Sequence, residues 1–182
     1  FMIGGASAFA QSLEFSNDSG GSARFYGQFS PVFESYDDGV ESYTKLLDNS
    51  HSVSRLGFWI DQEFAESELS FNFETALGLP NTEGWSQTDQ DQTWEWEQTD
   101  IRKLEFIYKA AFGTIWAGQG SMATDGVTEQ DLSGTTLTSK ANSARNSARN
   151  FFFRDSDTDD LTDVTIGDVF NVFNGSRRFR LR

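Results

Sequence analysis

Cysteine is absent from the 182 residues and histidine occurs once, as His51. The first absence excludes disulfide frameworks, cysteine-ligated zinc and thiol nucleophiles. The second leaves little for acid–base catalysis. Any Ser-His-Asp triad would have to use His51, which stands in a polar Asn-Ser-His-Ser stretch with no nucleophile motif near it. The chain is therefore expected not to be an enzyme. No apolar run approaches the ~20 residues of a membrane-crossing helix. There is no excess of positive charge either: the net charge of −14 disfavours nucleic acid, which needs a basic face, and disfavours adhesion to acidic lipid head groups.

What is present is aromatic. Phenylalanine occurs 18 times and tryptophan five, yet mean hydropathy is negative. Many large apolar side chains without a long apolar run call for alternation along strands. Ala23 to Glu34 puts Phe25, Gly27, Phe29, Pro31 and Phe33 on one face, and Arg24, Tyr26, Gln28, Ser30 and Val32 on the other. Ser54 to Ile60 repeats the pattern, with Leu56, Phe58 and Ile60 against Arg55, Gly57 and Trp59. Leu69 to Leu79 sets Leu69, Phe71, Phe73, Thr75, Leu77 and Leu79 against Ser70, Asn72, Glu74, Ala76 and Gly78. Ile101 to Phe112 alternates again, Thr114 to Gly120 is a shorter strand, and Arg177 to Arg182 begins another, with Phe179 and Leu181 opposite its arginines. Period two with one oily and one wet face is the mark of strands. Their length suits a tilted crossing of a bilayer.

The connections alternate. Long ones are expected over Tyr36 to Ser50 and Pro80 to Thr99, and short ones over Asp61 to Ser67 and Ala111 to Thr114. A final connection, 121–176, is far longer than an ordinary loop and is expected to be functional. Long loops at one end and tight turns at the other belong to outer-membrane barrels. The opening FMIGGASAFA, residues 1–10, reads as the end of a signal peptide with an A-x-A cleavage site at Ala8 to Ala10. With Phe1 in first place and the end falling inside a strand, both ends are expected to be cut.

Two segments carry a family resemblance. Ser54 to Phe58, SRLGF, leads through an acidic turn to a strand ending in Glu74-Thr75-Ala76, and resembles strands two and three of general bacterial porins. Lys109 to Gly120, KAAFGTIWAGQG, is similar to the porin segment in which a Phe-Gly-Thr turn precedes the pore-constricting third loop. Ser121 to Thr135 resembles the start of that loop in alphaproteobacterial porins. The chain departs from the pattern at Trp59 and Ile60, where many porins carry a small or basic residue, and in a third loop that is unusually long and acidic.

The resemblance implies an all-β fold, a transmembrane antiparallel β-barrel of about 16 strands, of which 11–182 supplies about the first six. It implies a homotrimer in the outer membrane of a Gram-negative bacterium, passing ions and small hydrophilic solutes without a cofactor. With the oily faces toward lipid, Arg24, Arg55, Lys103, Lys109, Arg178, Arg180 and Arg182 would form a basic wall toward the lumen. The resemblance places Asp125, Glu129 and Asp131 across from it on the third loop, a transverse arrangement that sorts ions by charge.

Two further features stand beside this reading. Asp155, Asp157, Asp159, Asp160 and Asp163 begin like an EF-hand loop, but Asp160 stands where glycine is required and Ile166 where the bidentate Glu belongs. An irregular calcium site at Asp155, Asp157 and Asp159 remains open beside a solvated loop. Trp85, Trp94 and Trp96 are expected to mark an interfacial girdle or a subunit contact. The alternative architecture is a secreted or surface β-sandwich, which would pack its oily faces into a dry core and could bind calcium.

Overall fold

The computed structural model describes residues 13–121, 147–169 and 178–181, the last with backbone only for 178–180. Residues 1–10, expected to be a signal-peptide remnant, and the carboxylates Asp125, Glu129 and Asp131 lie outside the described residues, as does Arg182. The fold is all-β and antiparallel.

One seven-stranded sheet dominates. Its strands are β1 (Leu13–Ser16), β2 (Gly21–Gln28), β5 (Arg55–Phe64), β6 (Ser67–Ala76), β7 (Ile101–Ala110), β8 (Gly113–Gly120) and β11 (Arg178–Leu181), in that spatial order. Sequence neighbours are therefore neighbours in the sheet, the up-and-down arrangement that short turns favour. At one end the links are tight: 17–20, 65–66 and 111–112. Asn17 closes the first by accepting the amides of Ser19 and Gly21 on its Oδ1. The links at the other end run over 29–54, 77–100 and 121–177. The alternation of long and short connections read from the sequence holds.

Several expected boundaries move. The single strand expected over Ala23 to Glu34 is two, broken at 29–30, because Pro31 has no amide hydrogen with which to continue a ladder. The loop expected over Tyr36 to Ser50 is instead a hairpin, β3 (Pro31–Asp37) with β4 (Ser42–Asp48), paired from Pro31↔Asp48 to Asp37↔Ser42. Its tip is held by Asp38 Oδ1, which accepts the amides of Val40 and Glu41. β5 runs on to Phe64, so the short connection is only Ala65 and Glu66. β1 was not expected at all.

A second hairpin, β9 (Phe152–Arg154) with β10 (Leu161–Thr165), is followed by one helical turn, α1 (Ile166–Val169). The hairpins and loop 77–100 share a small core of Tyr43, Leu47, Trp85, Ala148, Phe151 and Ile166, with Tyr36 against it. Phe151 is its centre, with ring centroids 4.1 Å from Tyr36, 4.8 Å from Trp85 and 5.8 Å from Tyr43. Trp85 is thus buried in a loop cap, which corrects its assignment to a girdle. Arg154 Nε clamps the two hairpins together by donating to Asp38 Oδ2 at 2.8 Å.

Candidate functional site

Register assigns every strand residue to a face. On one face of β2, β5, β6 and β7, Phe25 stands opposite Phe58, Phe58 opposite Phe73, and Phe73 opposite Leu104. The next row is Ala23, Ile60, Phe71 and Phe106. The rings touch across strands, Phe58 to Phe73 at 5.4 Å and Phe71 to Phe106 at 4.8 Å. This face is exposed: Leu56 shows 57% of its surface and Phe106 54%. None of its side chains enters the loop-cap core.

The opposite face is polar, and its centre is buried while Arg24, Glu63 and Lys109 toward its margins are exposed. Asn72 is 0% exposed, Glu74 4% and Glu105 5%. A water-soluble sheet does the reverse, hiding phenylalanine and exposing carboxylates. Two tryptophans, Trp94 and Trp96, sit at the long-loop end, where their indole N–H groups donate to Leu77 O and to Thr75 Oγ1, the latter at 2.8 Å, leaving their rings exposed. Phe64, Tyr108 and Phe112 are exposed at the tight-turn end, with Tyr108 against Phe112. The apolar face is therefore bounded by aromatic side chains at both ends.

The polar face is organised around Glu74. Its Oε1 accepts from Arg102 Nε at 2.6 Å and its Oε2 from the Tyr26 hydroxyl at 3.0 Å. Lys103 Nζ lies 3.8 Å from Oε2 and Arg55 Nε 3.9 Å from it. Burying a carboxylate is costly unless it is paired and hydrogen-bonded, and Glu74 is both. The Tyr26 ring lies against Gly57, where any Cβ would collide with it. Asn72 presents its Oδ1 to the same hydroxyl at 3.1 Å. A second pair, Lys109 to Glu68 at 3.0 Å, joins residues in direct register across β6 and β7.

Of the seven residues expected on a basic wall, Arg24, Arg55, Lys103 and Lys109 lie on this face. Arg178 and Arg180 fall on it by register, opposite Gly120 and Gly118 of β8. The same face also carries the carboxylates Glu14, Asp61, Glu63, Glu68, Glu74 and Glu105. Sequence reading passed over Arg102 because strict alternation assigns it to the oily side. The register shift between Glu74 and Thr75 turns it to the polar side.

Asp155, Asp157 and Asp159 form the turn between β9 and β10. Asp155 Oδ1 accepts the amides of Asp157 and Thr158, which holds its carboxyl below the ordinary range, and Asp159 adopts φ 62°. Among the described residues no group of three or more acidic, histidine or cysteine side chains is arranged to hold a metal ion. His51 Nε2 lies 3.2 Å from Ser147 Oγ and ties loop 29–54 to the segment beginning at 147. Comparison with protein families, with curated proteins and with solved structures finds no match to this chain.

Proposed function

We propose that this chain forms part of a water-filled β-barrel in the outer membrane of a Gram-negative bacterium, a porin-like channel through which ions and small hydrophilic solutes diffuse. The observation that carries the reading is the inverted burial at the middle of the sheet, where Asn72, Glu74 and Glu105 are covered while Leu56, Ile60 and Phe106 are open. Lipid is the solvent that makes such a face favourable. Ten-residue strands at about 3.3 Å per residue and a ~45° tilt span roughly 23 Å, close to the ~25 Å apolar band of such barrels. The aromatic side chains at both ends of the band agree with the girdles that flank it.

The reading assigns no catalytic residue and calls for no cofactor. The partners it implies are outer-membrane lipid, permeating solutes and, by family resemblance, two further copies in a homotrimer. The β-sandwich alternative requires a second layer over the apolar face, and among the described residues the loop cap packs elsewhere.

The test is single-channel recording in planar bilayers with the full-length gene product refolded in detergent. Stepwise ohmic openings are the expected result. A soluble monomer with no conductance would remove the reading.

A further inference from the structure

Trp59, one of the positions at which the chain departs from the porin pattern, lies on the polar face. Register pairs it with Arg24 of β2 on one side and with Asn72 of β6 on the other, far from the aromatic side chains that bound the apolar face. Trp94 and Trp96 each donate their indole N–H to the protein. Trp59 does not: it is half-buried, and among the described residues its indole has neither a hydrogen-bond partner nor a ring contact. Arg24 is in the same condition. It is exposed, and among the described residues no hydrogen bond or ion pair engages its guanidinium, although Glu14 stands opposite it on β1. The cations further along the face differ, since Arg55, Arg102 and Lys103 lie within 3.9 Å of Glu74 and Lys109 bonds Glu68.

The surroundings of the pair are fixed. Two residues before Trp59 on the same face, Gly57 leaves the space that the Tyr26 ring fills, and the Tyr26 hydroxyl is held by Asn72 and Glu74. An indole without an anchor therefore stands beside an immobilised aromatic ring and opposite a guanidinium without a carboxylate. Side chains in direct register start only ~5 Å apart at their Cβ atoms, so one small solute can meet both. A guanidinium takes a carboxylate through two parallel N–H groups, and an indole face takes a planar ring by offset stacking.

We propose that Arg24 and Trp59 form a subsite on the channel wall for planar aromatic anions, the carboxylate accepting from the Arg24 guanidinium while the ring stacks on the Trp59 indole. The inference rests on the channel reading and names a solute class that charge alone would not select.

The test is the single-channel current of the full-length protein in a planar bilayer with benzoate added on one side, set against acetate, which has the charge without the ring, and benzylammonium, which has the ring with the opposite charge. Benzoate is expected to interrupt the current at a half-blocking concentration at least ~5-fold below that of either comparison solute. W59L keeps an apolar side chain but removes the flat face, and should raise the half-blocking concentration of benzoate at least ~3-fold; R24Q should do the same by removing the charge. Acetate or benzylammonium acting as strongly as benzoate, or an unchanged response to benzoate in either variant, would overturn the inference while leaving the channel standing. Absence of conductance would overturn both. The comparison of solutes needs only the native protein and keeps the question decidable should a variant fail to assemble.

Discussion

Replacing Glu74 by glutamine removes one charge from the centre of the polar face and almost no volume. Breaking a buried ion pair from one side costs about 3–5 kcal/mol when the remaining charge is fully enclosed. Here the stranded cations keep some water, with 24%, 20% and 29% of the Arg55, Arg102 and Lys103 side chains exposed. Hydration offsets part of the loss, so the expected cost of E74Q is about 2–3 kcal/mol. The amide oxygen still accepts from Tyr26, so the loss reports charge rather than shape. The assay is urea unfolding of the folded protein in lipid vesicles, followed by tryptophan fluorescence, for E74Q, R102Q and the double variant. The coupling between the two sites is expected at about 1.5–3 kcal/mol. E74Q should also shift the reversal potential toward chloride, since it unmasks the wall cations. A stability change under ~0.5 kcal/mol, the size of an ordinary surface substitution, with no shift in reversal potential, would refute the view of Glu74 as the hub.

Four other outcomes follow from the same geometry. Phe106→Arg, in the middle of the apolar face, should cost about 2–4 kcal/mol in vesicles; an effect below ~0.5 kcal/mol would mean that the face meets water. Phe151→Ala empties the centre of the loop cap and should cost about 3–5 kcal/mol, read as new protease cleavage within 29–54 and 147–169 while the strands stay protected. Burial pushes the Glu34 carboxyl up to about 7, against the opposing hydrogen bond from Trp85 Nε1 at 3.2 Å. The folded state thus holds a proton that the unfolded chain releases, and this contribution is complete below about 4.5 and lost as pH rises through about 7. Discounted for the solvent that still reaches Glu34, it amounts to about 1–2 kcal/mol of cap stability, measurable by hydrogen exchange and absent in E34Q. Asp38 titrates in the other sense: burial raises it, but the amides of Glu41 and Val40 and the Arg154 guanidinium outweigh that and hold it at about 2, so its contribution is lost only as pH falls through that value.

The main sheet was legible because each of its strands repeats apolar residues at period two, and the pairing of Leu69 with Tyr108 or Phe71 with Phe106 keeps that parity across strands. The break at 29–30 was not legible from parity, since Phe29, Pro31 and Phe33 continue the phase of Phe25 without a slip. What separates the strands is the missing amide of Pro31, and its effect depends on where the next strand turns. Leu13 to Ser16 is too short to show a period and becomes a strand only against Ala23 and Phe25. Trp85 reads like Trp94 and Trp96 in sequence, and what buries it is Phe151, 66 positions further on. Within the candidate site, the carboxylate opposite Lys103 was visible as Glu74, but its role as a shared partner depends on a register shift that only the pairing reveals.

The inversion of burial and the segregation of charge are independent observations that bear on the same architecture. A sheet that covers Asn72, Glu74 and Glu105 while exposing Leu56 and Phe106 is what the proposed barrel requires, with its aqueous side enclosed and its outer side in an apolar medium. In such a medium no fixed charge is tolerated on the outer face. In that barrel the charges of the strands crowd onto the enclosed face, where carboxylates relieve part of the cations' repulsion, one to one at Lys109 with Glu68 and one to three at Glu74. An excess of one sign has room only where the chain leaves the apolar band. That is where all of the net charge is found, in the long connections. The constraint that keeps charge off an apolar face thus accounts for both observations at once: cations and carboxylates share one face of the strands, and the acidic excess lies in the long connections.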